Sequence, residues 1–397
     1  MDWFAGDWLG LAVRWAHLIA GISWIGSSFY FMWLDANLEV PGPGGPKDVE
    51  GSLWMVHSGG FYEVVRKRIG PGSMPKTLHW FKYEALFTWI TGTFLLGLVY
   101  YAHADAYLSR PGSAPLTGAQ AVAWGVGLMV GSWAVYDTLW ATLGKKVPGV
   151  VTAVSVALAV GLAFGLCQVF GGRGAFIHLG AIFGTIMVAN VWMRILPAQQ
   201  RMIDATARGE TPDFGNSAAA KRRSVHNSYM TFPVIFMMLS NHYPAFYGRG
   251  DGSLVLVTLV ALGMAMRHAM IAKSAGVRKI AGAVGTAVLA GLIVMLQPQA
   301  APASITVVSG PPVTFAQARE VIQTRCVACH SEHPTDTTFT VAPNGVTFTS
   351  AEHIKAFVER IRFRAVETKT MPLANKTGMT EEERAILARW IQEGAPI

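Results

Sequence analysis

The most specific chemistry in this chain is carried by Cys326-Val-Ala-Cys329-His330. Two cysteines separated by two residues, with a histidine directly behind them, form the attachment pattern of a c-type haem. The thiols add to the porphyrin vinyl groups and the adjacent imidazole is delivered to the iron. A zinc site would want two more ligands at a matching spacing, and only His333 is near. A redox Cys-x-x-Cys of the thioredoxin kind would need a βαβ pattern, which this segment lacks. The second axial ligand is expected on a downstream loop. Met371, in Thr370-Met371-Pro372, is placed for it because the proline enforces a non-helical loop, and a thioether raises the potential of the iron; Met379 is the competitor.

Beyond that loop, Thr380 is the expected N-cap of a helix with Glu383 at the reciprocal capping position, and Ile386, Leu387 and Trp390 form its apolar side. Residues 313-397 resemble the small class I cytochromes c, in which such a terminal helix packs the haem edge. The expected cofactor is one covalent haem c, a one-electron carrier.

A second group of chemically capable residues is scattered through apolar runs, where polar side chains are costly unless paired or used. Lys82 and Glu84, Asp137, Asn190 and Arg194, and Arg223, His226 and Asn227 form a polar, net basic set at one depth, suited to a flat, hydrogen-bonding anion. Lys82 and Glu84 would equally snorkel to an interface. Three histidines, His17, His178 and His242, share the opposite half. They are candidate ligands of a non-covalent haem b that would relay electrons to the haem c.

The elements that must position these residues follow from composition. Of 397 residues, 52% are hydrophobic and 14% charged, against about 25% charged in an ordinary soluble domain. A water-soluble enzyme and a disordered chain are both excluded. Runs of about 20 apolar residues predict eight transmembrane helices near 8-34, 80-103, 119-143, 148-170, 175-197, 225-243, 253-272 and 280-297. Asp2 and Asp7 stand where a signal peptide would be basic, so the first helix is expected to be retained.

The net charge of +8 sits in short clusters between these runs, which speaks for membrane topology and against nucleic acid. Alternate connections hold fifteen Lys and Arg against three in the others. By the positive-inside rule this puts the N-terminus and the haem c domain in the periplasm of a bacterial inner membrane, with lipid around the bundle. The expected domains are therefore a bundle over 1-297, a Pro/Ala linker over 298-312 and the cytochrome c domain over 313-397, an all-α protein throughout.

A short internal match relates His17-Leu18 and Ala20 to His178-Leu179 and Ala181, and Gly131 to Tyr136 to Gly263 to His268. Four helices per unit would make two parallel repeats. The first helix, Arg14-Trp-Ala-His17 through Trp24-Ile-Gly26, is similar to the opening helix of four-helix membrane haem proteins such as the membrane protoporphyrinogen oxidases.

Over about residues 8 to 397 the chain resembles the bacterial integral-membrane urate oxidases, eight-helix urate hydroxylases fused to a C-terminal cytochrome c. The resemblance is carried by Trp15-Ala-His-Leu-Ile-Ala-Gly-Ile-Ser-Trp-Ile-Gly, His57-Ser-Gly-Gly-Phe-Tyr, Leu78-His-Trp-Phe-Lys-Tyr-Glu-Ala, Arg223-Ser-Val-His-Asn-Ser-Tyr and Ser240-Asn-His-Tyr-Pro. It implies oxidation of urate to 5-hydroxyisourate with water as the oxygen source, no stoichiometric peroxide, and electrons passed to the fused haem c. A respiratory acceptor would follow, either a soluble cytochrome c or a terminal oxidase. Under that reading Lys82 or Arg223 would neutralise the urate anion, Asn190 or Asn227 would pair with its amide edges, and Asp137 or His226 would take the departing proton; Glu84 belongs to the same expected substrate set. Two rivals are a quinol-oxidising electron conduit without a urate site and a membrane anchor that displays a cytochrome.

Overall fold

An aromatic, apolar run without proline makes the first element one long helix, α1 (Trp3–Asn37). Its 35 residues span roughly 52 Å at 1.5 Å per residue, more than a hydrocarbon core of about 30 Å requires. The computed structural model describes residues 3–70, 74–110, 116–248, 251–297, 312–339 and 341–397. Among them, α2 (Tyr83–Leu95) runs on through a π-helical stretch, Leu96–Tyr101, into a short α3 (Ala104–Tyr107). Then come α4 (Gly118–Thr142) and α5 (Pro148–Val169). Thr117 and Gln120 close a capping box on α4, and Pro148 opens α5 where no N–H is needed.

The next helix departs from expectation. α6 (Gly172–Ala189) passes through a π-helical stretch, Asn190–Ile195, into α7 (Leu196–Ala207), an unbroken rod well beyond the expected 175-197. α8 (Phe214–Ser240) starts about three turns before the expected 225, so Arg223, His226 and Asn227 lie within the helix rather than opening it. A short α9 (Pro244–Tyr247) precedes α10 (Gly252–Ile271) and α11 (Ala275–Leu296).

Among the described residues six helical stretches are long and apolar enough to cross a membrane: Trp8–Asn37, Gly118–Thr142, Pro148–Val169, Gly172–Ala207, Gly252–Ile271 and Ala275–Leu296. They match six of the eight expected spans. The other two, around α2 and α8, are helical but outside that set; the first half of α8 carries Lys221, Arg222 and Arg223, which lower its hydropathy. α6 is the axis of the bundle, buried along most of its length, with Phe176, Leu179 and Ile182 fully enclosed by α4, α5 and α8.

One element corrects the all-α expectation. The first long connection folds into an antiparallel hairpin, β1 (Val49–His57) and β2 (Gly60–Lys67), joined through Ser58 and Gly59, both at positive φ. Ion pairs from Asp35 at the end of α1 to Arg66 of β2 (3.0 Å) and to Lys221 of α8 (3.7 Å) set the hairpin at one end of the bundle. At the other end three connections meet: the Gly171 N–H donates to the Leu108 carbonyl (2.9 Å) and Arg173 to the Tyr247 hydroxyl (3.0 Å).

The expected linker, 298-312, lies outside the described residues except for Pro312. Beyond it, α12 (Phe315–Arg325), α13 (Ala351–Ala356), α14 (Val358–Ile361) with a π-helical extension Arg362–Glu367, and α15 (Glu381–Gln392) gather a separate core around Ile322, Ile354, Leu387 and Trp390. Thr380 and Glu383 form the capping box read from the sequence, and Glu383 also pairs with Arg325 (3.0 Å), pinning α15 to the end of α12.

Candidate functional site

Five of the expected substrate residues come together between α4, the π-helical stretch after α6, and α8. Asp137 is buried, and both its carboxylate oxygens accept from guanidinium groups: Oδ1 from Arg223 (2.9 Å) and from Arg194 (2.8 Å), and Oδ2 from Arg194. The π-helical stretch makes this possible. A wider turn shifts the side chains that follow it around the helix, and both Asn190 and Arg194 lie within it.

A chain of amides fixes direction in the same cluster. The Met187 carbonyl can only accept, so the Asn227 amide donates to it (2.9 Å) and offers Oδ1 to the Asn190 amide nitrogen (2.8 Å). Asn190 donates its other N–H to the Tyr136 hydroxyl (3.1 Å). The Tyr136 hydrogen is thereby turned toward His226 Nδ1, 2.8 Å away. Two groups are left over: Asn190 Oδ1, an acceptor, and Arg223 Nη1, a donor, are buried without a hydrogen-bond partner among the described residues. Buried polar atoms are nearly always satisfied. An unpaired donor and an unpaired acceptor flanking the same tyrosine, with Arg223 4.8 Å above its ring, suit a ligand that brings an anionic oxygen and an N–H. Two guanidiniums against one carboxylate leave the cluster net positive.

Asp137 was expected as a possible base. Both its oxygens accept from arginine, and the carboxylate holds Arg223 in place. Lys82 and Glu84 do not join this network. The Lys82 ammonium lies over the rings of Trp80, Tyr83 and Trp192. Glu84, with Oε2 unpartnered, lines a separate apolar opening between α1 and α2 together with Ala16, Ser23 and Phe87. Tyr136 and Trp140, whose ring centroid is 4.2 Å from that of His226, were not singled out as site residues from the sequence. Tyr136 stands one position before Asp137, in the segment matched to Gly263 to His268. The match has a counterpart in the fold: His268 meets Tyr229 of α8 at 2.5 Å, as Tyr136 meets His226.

The three histidines expected around a haem b have separate partners. His17 Nδ1 is 3.0 Å from both the Thr88 carbonyl and the Thr91 hydroxyl of α2. His178 is fully buried, donating from Nδ1 to the Gly174 carbonyl (2.8 Å), with Nε2 on the Tyr101 hydroxyl (3.2 Å) and Phe170 stacked on its ring. A Cβ at Gly125 would come within 2.8 Å of that Nε2, so the space there is filled by protein. His242 is exposed beyond the end of α8. His178 has both ring nitrogens engaged by its own neighbours, whereas the bonds of His17 fall on Nδ1.

In the C-terminal domain the geometry does fit a haem c. Cys326, Cys329, His330 and Met371 line one apolar cleft, walled by Phe348, Ile361 and Leu373. His330 Nδ1 donates to the Val346 carbonyl (3.0 Å), leaving Nε2 for the cleft, as iron-ligating histidines are held. Burial lowers the proton affinity of this imidazole, against the opposing pull of that carbonyl, which favours the neutral ligand form. Burial, reinforced by Cys329, pushes the Cys326 thiol up to about 12. Arg384 of α15 donates to the Met371 carbonyl (2.9 Å) and to that of Ala365, fixing the loop. Met379 packs in the domain core instead, 3% exposed. Among the described residues no cluster of three or more His, Cys, Asp or Glu forms a metal site; a porphyrin iron asks only for two axial ligands.

Compared with known proteins, residues 4–297 match a family model described as the urate oxidase N-terminal domain. No curated protein and no solved structure matches the chain.

Proposed function

The chain belongs to the urate oxidase N-terminal family, and from that premise we propose that it oxidises urate in the α4–α6–α8 cluster and delivers the electrons to a haem c in its C-terminal cleft. The observation that carries the reading is the pair of unpartnered buried groups, Arg223 Nη1 and Asn190 Oδ1. Urate is a planar anion with carbonyl oxygens and ring N–H groups side by side, and that edge matches a donor next to an acceptor.

The reaction balances as urate plus water giving 5-hydroxyisourate, two protons and two electrons. In this reading Arg223 binds and orients the anion, itself aimed by Asp137. Asn190 accepts a ring N–H. Tyr136 and His226 carry off a proton: the tyrosine oxygen takes it while its own hydrogen passes to His226 Nδ1, a direction set by the amide chain ending at Met187. A haem c in the cleft would accept electrons one at a time and hand them on to a respiratory acceptor, either a soluble cytochrome c or a terminal oxidase. His330 and Met371 would be its axial ligands and Cys326 and Cys329 its covalent attachments. In this reading the bundle lies in a bacterial inner membrane with the C-terminal domain periplasmic, which the charge bias of the connections supports.

The quinol alternative has its own foothold in the apolar opening between α1 and α2 that holds Glu84. One experiment separates them. Under anaerobic conditions urate should reduce the haem c spectrum and yield 5-hydroxyisourate; an oxidised spectrum left unchanged by urate but promptly reduced by a quinol would overturn the urate reading.

A further inference from the structure

The C-terminal domain is seated on the end of the bundle away from the hairpin, and the contact falls on the rim of its cleft. Ala106 of α3 lines the cleft together with Cys329, Met371 and Lys376. The Lys376 ammonium bridges the two parts, meeting Asp336 of its own domain (3.0 Å) and Asp105 of α3 (3.2 Å). The second contact is backbone against loop. A Cβ added at Gly248, just after α9, would fall onto Thr370 Cγ2 and come within 3.1 Å of Thr368 Cβ, so a glycine there lets the bundle touch the residue directly before Met371.

Behind this face stands a ladder of rings and one cation. Tyr100, buried in the bundle core, is 5.8 Å from Tyr107; Arg173 lies 5.3 Å from the Tyr107 ring and 5.5 Å from that of Tyr247. Tyr107 directly follows Ala106, which lines the cleft, and Tyr247 directly precedes Gly248 at the Thr370 contact.

We propose that α3 and the α9–Gly248 turn are the docking face through which the C-terminal domain receives electrons from the bundle, held in register by Lys376–Asp105 and by the Gly248–Thr370 contact. The proposal rests on the urate-to-haem reading for the direction of flow, and on geometry alone for the docking. The four residues that hold the register are positioning residues; none touches substrate.

The test uses the full chain with a protease site placed in 298–311, in native form and as Asp105→Lys, Lys376→Asp and the double exchange. After cleavage, retention of the C-terminal domain on the membrane fraction is measured at low and high salt. The native chain and the double exchange should retain it, and each single variant should weaken retention by about two- to fivefold at low salt, the range of one exposed pair, with the difference fading as salt screens it. In the uncleaved proteins, stopped-flow reduction of haem by urate should slow in the single variants and recover in the double exchange, while reduction by ascorbate stays unchanged in Asp105→Lys, whose site lies outside the cleft lining. Gly248→Val, which leaves the charges alone, should slow the same urate-driven step. Single variants that retain the domain and reduce haem as fast as the native chain would overturn the docking face, as would a double exchange that recovers neither. If retention follows the charges but urate fails to reduce native haem, the docking face stands and the urate reading falls.

Discussion

In the proposed site the task given to Asp137 is to orient Arg223 rather than to take a proton. Its neighbours are unequal: Arg194 is 44% exposed along its side chain, but Arg223 is enclosed and depends on the carboxylate. Breaking a buried pair by removing one partner typically costs about 3–5 kcal/mol. Asp137→Asn should therefore lower the thermal midpoint in detergent and weaken urate binding together, whereas His226→Gln should leave the midpoint near native and slow haem reduction at saturating urate. A stable, urate-binding Asp137→Asn protein defective only in turnover would restore the aspartate to the role of base. The two methionines divide in the same manner. Met371→Ala should abolish the weak near-infrared sulfur-to-iron band, since its loop faces the cleft. Met379→Ala should keep the band and destabilise the domain by about 2–5 kcal/mol, the range for truncating an enclosed methionine.

Among the elements, what was readable and what was not separate by the range of the forces involved. Spans such as 148-170 and 253-272 are legible because crossing a membrane is a property of local composition. Asp137, Asn190, Arg223, His226 and Asn227 were legible because polar groups are costly at membrane depth. Tyr136 carried no such cost and passed unnoticed, while Lys82 and Glu84, near a helix end, carried the same signal and belong elsewhere. The π-helical stretch at Asn190–Ile195 is set by packing against α8, which no local periodicity reports. The hairpin did leave a trace: Ser58-Gly59-Gly60 sits between two runs rich in Val, Trp, Phe and Tyr. At the docking face, burial would raise the Asp336 carboxyl, but hydrogen bonds from Thr338 and Lys376 outweigh it and hold it below 3.8; burial would lower Lys376, but its bonds to Asp336 and Asp105 hold it above 10.5. A depressed acid contributes above its unfolded value and is lost as pH falls through the folded one; a raised base contributes below its unfolded value and is lost as pH rises through the folded one. The contribution of the Asp336–Lys376 pair to the C-terminal domain should accordingly be flat from about pH 5 to 9 and fade in acid below about 4, read as a falling thermal midpoint of that domain. A loss centred near pH 6.5 would instead point to a histidine.

For the molecule as a whole, the two ends of the bundle are chemically distinct. Asp35, Arg66 and Lys221 gather with the hairpin at one end; the connections around Leu108, Gly171 and Tyr247 gather at the other, where the C-terminal domain sits. Reporter fusions should therefore give opposite signals at Ser58, in the hairpin turn, and at Ile397. An alkaline phosphatase active at Ile397 and silent at Ser58 agrees with the charge bias of the connections; equal activity at both positions would mean that the segments assigned as spans do not all cross.

Asn190 lies eighteen residues beyond Gly172, the first residue of α6, roughly 27 Å of helix at 1.5 Å per residue, so the cluster proposed to oxidise urate stands far from the end of the bundle that carries the C-terminal cleft. On the proposed route each electron travels outward through most of the membrane's electric field, from the negative to the positive side. A charge crossing the full field gains about 2.3 kcal/mol per 100 mV, so an energised membrane would pull the oxidation forward. Turnover would then be a voltmeter of the cell: fast in vesicles carrying an inside-negative potential, slower once an ionophore collapses it, with no change in the concentration of either reactant.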